Sequence, residues 1–264
     1  MLHCALSLVS KPHRPRVCAV SFLNTVPLVW GMLHGRQKEV FELSFSVPSA
    51  CADQVAAGQA DLGIVPVAEI ARHGWPYLRD VGIACSGPVR SILLIAKVPL
   101  NQIQTLAADS SSRTSVMLTR VVLQRKYGSR PRVRTMAPNL TNMLAEADAA
   151  LIIGDPALRT EPKELPYQVL DLGREWTEMT GLPMVFALWA GPAEAIPEAH
   201  RQAFAESCRF GLDHMDDVVA ASVQERGIPA EVIRKYLTQH IVFELGPEHL
   251  RGLDLFFSYA SQLK

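Results

Sequence analysis

Short apolar runs alternate with longer helical stretches along residues 16–96. The apolar runs are four to six residues long, and glycine or proline separates several of them from segments with helical signals. Such alternation predicts parallel strands joined by helices, and therefore an α/β sheet. The predicted strands are 17–20, 43–47, 62–65, 82–85 and 91–96, and the predicted helices are 50–57 and 67–72.

A second α/β block follows. Residues 114–127 form a predicted helix, in which Leu118, Val121 and Val122 recur at helical spacing. A shorter helix is predicted at 139–147, and the predicted strands of this block are 132–135, 149–153, 167–170 and 184–190.

From residue 197 the pattern becomes helical, with predicted helices at 197–212, 216–226, 229–239 and 247–261. Two α/β blocks followed by helices favour a two-lobed arrangement, which we state as a hypothesis. Strand 91–96 would leave the first lobe and strand 184–190 would return to it. The C-terminal helices would then pack on the first lobe.

Composition excludes several functional classes. Of 264 residues, 48% are hydrophobic and 20% charged, which is typical of a protein with a substantial core and not of a disordered chain. The 26 basic and 26 acidic residues balance, whereas a nucleic-acid-binding domain usually carries a basic excess. No apolar run approaches the roughly 18 residues that indicate a membrane span. We therefore expect no nucleic-acid partner and no membrane contact.

Residues 1–15 are predicted to form a loose N-terminal extension. The apolar run at 5–9 is shorter than the core of a secretory signal, about 7–15 residues, and basic residues follow it instead of preceding it. The five cysteines are odd in number and no pair has C-x-x-C spacing. This pattern predicts reduced thiols, a cytoplasmic location and no zinc site.

Four polar stretches follow predicted strands or precede predicted helices: SFLNT at 21–25, SGPVRS at 86–91, DSSSRTS at 109–115 and GDP at 154–156. Ligands of open α/β sheets bind outside the carboxyl ends of the strands, where helix N-termini offer free N–H groups to anions. The stretch SSSRTS adds hydroxyls and an arginine to a helix start. It predicts either a carboxylate or phosphate site or an ordinary helix cap.

Two charged residues in these stretches allow alternative interpretations. Asp155 is placed to cap a helix, and Arg90 either clamps a carboxylate or pairs with a surface acid. None of the eight histidines falls in the four stretches. The sequence also lacks the H-E-x-x-H, G-x-S-x-G and G-x-x-x-x-G-K-[ST] patterns, which argues against metalloprotease, serine-triad and P-loop chemistry.

Several long segments resemble, in the same order, those of the menaquinone-biosynthesis chorismate dehydratase family. They are SFLNTVPL, QVAAGQADLGIVPVAE, SSSRTSVMLTRVVL, ALIIGDPAL and LGREWTEMTGLPMVFALWAG. The resemblance runs from about residue 16 to the C-terminus and is weakest in the final helices. It implies an α/β, two-lobed type II periplasmic-binding-protein-like fold with two crossover strands. Residues 16–96 and 184–264 would form the first lobe, and residues 97–183 the second.

The family's reaction is the loss of water from chorismate, giving 3-[(1-carboxyvinyl)oxy]benzoate in the futalosine route to menaquinone. The resemblance therefore implies chorismate as the small-molecule partner, with no metal and no cofactor, in a cytoplasmic enzyme. The residues expected to bind the substrate are Ser21, Thr25, Ser86, Arg90, Ser91, Ser112, Arg113, Thr114, Ser115, Gly154 and Met184.

Two residues are candidates for the chemistry. Asn24 carries an amide, which is no general base but can orient a carboxylate or the departing hydroxyl. The base is either Asp155 or a carboxylate of the substrate itself, and we favour the substrate. Aromatisation of the ring supplies much of the driving force, so the protein has mainly to position groups and stabilise charge.

Two alternatives remain open. A solute-binding protein of the same fold would normally carry a signal peptide or a lipid-anchored cysteine. The sister family that makes 1,4-dihydroxy-6-naphthoate is expected to have a histidine in its cleft motifs, and none occurs in the motifs here.

Overall fold

A computed structural model describes residues 14–192 and 198–263. The predicted N-terminal extension thus lies outside the described residues, apart from residues 14 and 15. The strands are β1 Arg16–Val20, β2 Glu42–Ser46, β3 Leu62–Pro66, β4 Tyr77–Cys85, β5 Ile92–Ala96, β6 Thr105–Asp109, β7 Arg132–Met136, β8 Ala149–Ile153, β9 Gln168–Asp171, β10 Met184–Ala190 and β11 Val242–Glu244. The helices are α1 Val26–His34, α2 Pro48–Ala56, α3 Val67–His73, α4 Thr114–Tyr127, α5 Leu140–Glu146, α6 Gly154–Arg159, α7 Leu172–Thr180, α8 Glu198–Asp213, α9 Met215–Arg226, α10 Ala230–Lys235 and α11 Pro247–Ser261.

The strands form two separate mixed sheets. The first sheet has the order β11-β4-β10-β3-β1-β2, and the second has the order β7-β6-β8-β5-β9. β1 runs parallel to β2 and β3, and β6 runs parallel to β7 and β8, as βα alternation requires. β10 and β5 pair antiparallel with their neighbours in the first and second sheets respectively. The predicted two-lobed α/β fold is confirmed.

The boundary between the lobes differs from the predicted one at residue 96. β5 pairs along its whole length with β8 and β9, so residues 92–96 belong to the second sheet. β10 lies wholly in the first sheet. The chain therefore passes between lobes in the segments 86–91 and 181–183, and each strand predicted to cross is instead contained in one sheet.

The C-terminal helices pack mainly on the first lobe. α8 lies along α1 and contacts β4, while β11 extends the first sheet beyond β4. α11 contacts both β10 and α4, and so touches both lobes. A side chain at Gly252 would put a Cβ 2.0 Å from the carbonyl oxygen of Pro183, so glycine lets α11 lie directly against the second crossing segment.

The core follows the sheets. β3, β8 and β10 are buried along their whole length, which explains their continuous apolar sequences. The four cysteines of the described part, Cys18, Cys51, Cys85 and Cys208, are buried and free. Burial raises the pKa of Cys85 to about 12. Among the described residues, no helix is both long enough and apolar enough to cross a membrane.

Candidate active site

A cleft opens between the two lobes, and its cavity volume is about 60 Å³. The first lobe contributes the end of β1, the following turn and β10, while the second contributes the start of β5, the end of β8 and the start of α4. Apolar side chains form most of the wall, and the polar lining consists of Asn24, Ser91, Ser112, Arg113, Thr114 and Ser115.

Asn24 reaches the cleft from a single 3₁₀ turn, Leu23–Thr25, between β1 and α1. Leu23 is fully buried and anchors the turn in the core. The Oδ1 of Asn24 is buried and has no hydrogen-bond partner among the described residues. An unpaired buried acceptor costs about 1–3 kcal/mol, so this atom is suited to a ligand that donates a hydrogen bond.

The start of α4 forms the opposite polar wall. The first N–H groups of any α-helix have no carbonyl partner within the helix, and no described side chain caps those of α4. The Oγ of Ser112 is buried beside them, also without a described partner. Asp109 holds the preceding loop by accepting hydrogen bonds from the N–H and Oγ of Ser111, at 2.9 and 2.7 Å. The wall therefore offers hydrogen-bond donors and a positive dipole end to an anion.

Arg113 lines the cleft, but its charge is already compensated. Its guanidinium contacts Asp53 at 2.8 Å and Glu69 at 2.9 Å, both on the first lobe. Glu69 is buried, so this pair is shielded from solvent. Arg113 thus joins the two lobes at the rim of the cleft, which leaves the N–H groups and hydroxyls beside it as the groups available to an anion.

Two hydroxyls of the cleft are held by hydrogen bonds: Thr114 bonds to the first lobe, and Ser91 bonds to the C-terminal segment. The Oγ1 of Thr114 accepts a hydrogen bond from the N–H of Ala68 at 3.2 Å. The Oγ of Ser91 accepts one from the hydroxyl of Tyr236 at 2.8 Å. Tyr236 is fully buried, and this burial raises the pKa of its phenol above the usual value. It therefore donates to Ser91 as a neutral phenol.

Gly154 is the contact point between β8 and the first lobe. It has φ +62°, and a Cβ at this position would lie 2.6 Å from the ring of Phe22. Its N–H donates to the carbonyl oxygen of Ser91 at 2.8 Å. Only glycine allows Phe22 to close this side of the cleft without displacement.

Asp155 lies beside the cleft and is not part of its lining. Its Oδ1 accepts the N–H of Leu23 at 2.9 Å, and its Oδ2 pairs with Nη1 of Arg226 at 2.5 Å. Both charged side chains are only 10% exposed. α6 begins at Gly154, with Ile153 at the N-cap position, so the prediction that Asp155 caps this helix is wrong. Its carboxylate instead joins the second lobe to the first.

Five other residues expected to bind the substrate also lie outside the lining. Ser21 and Ser86 are exposed, while Thr25 and Met184 are buried in the first lobe. Arg90 has φ +65°, and its guanidinium donates to the carbonyl oxygens of Ala157 and Thr160 at 3.0 and 2.7 Å. Its backbone N–H donates to Asp171. Its guanidinium also lies 3.9 Å from the exposed carboxylate of Glu161, so the interpretation that Arg90 pairs with a surface acid is confirmed.

Among the described residues that line the cleft, none is an aspartate, a glutamate or a histidine. Within 14–192 and 198–263, no group of three or more His, Cys, Asp or Glu residues could hold a metal ion. The structure also places four residues at the site that the sequence analysis did not select. Phe22 and Phe186 line the cleft, and Arg226 and Tyr236 support Asp155 and Ser91 from behind.

A family model described as menaquinone biosynthesis matches residues 15–262. The chain belongs to this family. The resemblance of its sequence motifs is thereby confirmed over nearly the whole chain.

Two curated relatives carry the name chorismate dehydratase. The protein from Thermus thermophilus is 29% identical over 243 residues, covering 85% of this chain and 88% of the relative. The protein from Campylobacter jejuni is 30% identical over 172 residues, covering 64% and 63% of the two chains.

Solved structures with low sequence identity support the fold. Protein AF1704 from Archaeoglobus fulgidus superimposes with a TM-score of 0.75 at 15% identity, covering 96% of this chain and 98% of the other. The periplasmic aliphatic sulphonate binding protein SsuA from Escherichia coli gives a TM-score of 0.63 at 15% identity, with coverage of 94% and 88%. The predicted periplasmic-binding-protein-like fold is confirmed.

Proposed function

We propose that this protein is a chorismate dehydratase, a hydro-lyase that converts chorismate to 3-[(1-carboxyvinyl)oxy]benzoate and water in menaquinone biosynthesis. The observation that carries the proposal is the sequence match to the Thermus thermophilus chorismate dehydratase, which spans 85% of this chain. The cleft supports it, because its polar groups suit a small dianion with a ring hydroxyl. The cytoplasmic location stays a prediction.

The start of α4 is the proposed site for the carboxylates of the substrate. Ser112, Thr114 and Ser115 line the cleft next to the uncapped N–H groups of this helix. Charge-assisted hydrogen bonds from such donors are about twice as strong as those between neutral groups. The apolar wall, which includes Phe22 and Phe186, excludes water and strengthens these bonds.

The proposed base is a carboxylate of the substrate. In the part of the chain that the structure describes, no residue lining the cleft carries a carboxylate or an imidazole, and Asp155 is held in its ion pair with Arg226. A substrate carboxylate accepts the C3 proton, and the electrons of the C–H bond form the new ring double bond. The C4–O bond breaks, and the departing oxygen takes the proton to leave as water. Atoms and charge balance without an oxidant or a cofactor.

Asn24 and Ser91 are the proposed contacts of the reacting end of the substrate. The unpaired Oδ1 of Asn24 accepts the hydrogen bond of the ring hydroxyl and fixes its orientation. Ser91 already accepts a hydrogen bond from Tyr236, so its own hydroxyl proton is available to the departing oxygen. Positioned donors of this type commonly contribute about 10²–10³-fold in rate.

The proposal is tested by incubating the purified protein with chorismate and following the aromatic product by ultraviolet absorbance and mass spectrometry. We expect stoichiometric conversion to 3-[(1-carboxyvinyl)oxy]benzoate without added metal or cofactor. A rise in melting temperature with no product would instead indicate a binding protein. Turnover of a futalosine-derived substrate, with none of chorismate, would indicate the sister enzyme. Either result contradicts the proposal.

A further inference from the structure

Tyr236 lies outside the cleft lining but contacts Ser91, one of the polar residues that line it. Its hydroxyl donates to the Oγ of Ser91 at 2.8 Å. Ser91 is 2% exposed and Tyr236 is 1% exposed, so solvent water does not compete for this hydrogen bond.

The backbone holds Tyr236 in this position through an unusual turn. α10 ends at Lys235, and residues Tyr236–His240 continue it as one π-helical turn, closed by the N–H of Ile241 donating to the carbonyl oxygen of Tyr236. The other end of the turn is fixed as well, because Nδ1 of His240 lies 3.0 Å from the carbonyl oxygen of Pro88. The π turn therefore contacts the first crossing segment, 86–91, at two residues, Pro88 and Ser91.

Ser91 has little freedom apart from its hydroxyl. Its N–H donates to the carbonyl oxygen of Val89 at 2.7 Å, and its own carbonyl oxygen accepts the N–H of Gly154 at 2.8 Å. The side chain still has three staggered rotamers available. The hydrogen bond from Tyr236 favours one of these rotamers. Because the Ser91 oxygen accepts this bond, the hydroxyl proton of Ser91 must point away from Tyr236.

We infer that Tyr236 is a positioning residue for the dehydration, which fixes the hydroxyl of Ser91 so that its proton faces the substrate. The inference rests on the proposed function. Tyr236 lies outside the cleft lining and its hydroxyl donates to Ser91, so it acts through Ser91 and gives no proton to the substrate itself. Its contribution is to kcat, since substrate binding depends mainly on the start of α4.

The test compares kcat, KM and melting temperature for Tyr236→Phe and wild type with chorismate. Tyr236→Phe keeps the packed ring and removes only the hydroxyl, so we expect kcat to fall about tenfold with KM within about twofold. The matched control is Tyr127→Phe. Tyr127 also hydrogen-bonds a buried acid, Glu175 at 2.7 Å, but it lies at the far end of α4. This control should lower the melting temperature and leave kcat unchanged.

A double-mutant cycle with Ser91→Ala separates positioning from general support of the fold. If Tyr236 acts through Ser91, removing its hydroxyl in the Ser91→Ala background should lower kcat by much less than tenfold. A kcat of Tyr236→Phe within twofold of wild type overturns the inference, as does a full tenfold loss in the Ser91→Ala background. Wild-type protein that binds chorismate without converting it overturns the proposed function itself, and this inference with it.

Discussion

Arg226 and Asp155 form a buried ion pair, with Nη1 and Oδ2 2.5 Å apart, across the junction of the two lobes. Asp155 lies in the first turn of α6 on the second lobe, and Arg226 is the last residue of α9 in the C-terminal segment. The same guanidinium nitrogen lies 2.9 Å from the carbonyl oxygen of Ser21, and Asp155 also accepts the N–H of Leu23. The pair thus secures both sides of the turn that carries Asn24.

Asp155→Asn should fold and keep substantial turnover. Breaking a buried pair by removing one charge typically costs about 3–5 kcal/mol, because the partner is left uncompensated. We expect a clear fall in melting temperature and a higher KM, with kcat within about fivefold of wild type. Steady-state kinetics below the melting transition measures this.

Arg226→Met is the matched variant for Asp155→Asn, since it breaks the same pair and leaves the carboxylate in place. Both variants should show the same pattern if Asp155 has only this connecting role. Complete loss of the chemical step in Asp155→Asn alone, with chorismate binding intact, would make Asp155 the base and would contradict the substrate-assisted mechanism.

Asn24→Ala should lower kcat more than it weakens binding. Asn24 lines the cleft, and in the proposed mechanism its amide contacts the reacting end of the substrate, where a lost hydrogen bond acts on the transition state. We expect kcat to fall about 100-fold or more, with a change in chorismate Kd below about fivefold. Single-turnover kinetics and calorimetric titration measure the two quantities separately.

The neighbouring Thr25→Val is a suitable control for Asn24→Ala. Thr25 is 1% exposed, lies outside the cleft lining, and its Oγ1 has no described hydrogen-bond partner. Replacing this hydroxyl by a methyl group should leave kcat unchanged and maintain or raise stability. An unaltered kcat in Asn24→Ala would remove Asn24 from the mechanism.

The arrangement of strands was largely predictable because the buried strands have continuous apolar sequences. β8 and β10 were predicted with the bounds they have in the structure, and α4 likewise. β6 was missed because its sequence TLAAD is short and alanine-rich, which gives little β-propensity. β11 has three residues, too few for any periodicity.

The sequence identified α7 only as part of a family motif and missed it as a helix. A usable signal was present, since Asp171 caps it by accepting the N–H groups of Gly173 and Arg174 at 3.0 and 3.1 Å. Aspartate before an amphipathic stretch is a regular sign of a helix start. The glycine two residues later instead favours a turn.

The cleft motifs were predictable because each follows or precedes a regular element. SFLNT, the start of α4 and the GDP stretch do meet at one site. Arg226 and Tyr236, which support this site, were not predictable from the sequence. They lie in C-terminal helices whose pattern indicates only core packing. Their partners depend on how these helices dock, which no local pattern encodes.

Gly154→Ala should weaken both stability and substrate binding. A non-glycine residue at φ +62° costs about 1–2 kcal/mol, and the new methyl group would lie 2.6 Å from the ring of Phe22. Gly128→Ala is the matched control, since Gly128 has φ +71° but nothing within 4 Å of the added Cβ. We expect the two variants to lose similar stability from backbone strain, whereas KM for chorismate should rise only in Gly154→Ala. Equal KM values in thermally stable samples would contradict a tight Phe22 contact.

Stability should also fall at alkaline pH through a cluster around the buried Glu175, which joins α4 to α7. Glu175 is 6% exposed and accepts hydrogen bonds from Nζ of Lys126 and the hydroxyl of Tyr127, both at 2.7 Å. Burial and then Glu175 raise the pKa of Tyr127 to about 12, and Glu175 raises the pKa of Lys126. Both groups therefore hold their protons more tightly in the folded state.

The sign follows from linkage, because an unfolded tyrosine ionises near pH 10, below the folded value of about 12. The contribution of the cluster is complete below about pH 10 and is lost as the pH rises towards 12. Glu175→Gln should lower the free energy of unfolding at pH 8 and flatten its decline above pH 10, as measured by urea denaturation. The control is Glu178→Gln, which removes an exposed contact with Lys126 and should change both quantities little. Equal effects of the two substitutions would show that the contacts of Glu175 have no special part in alkaline stability.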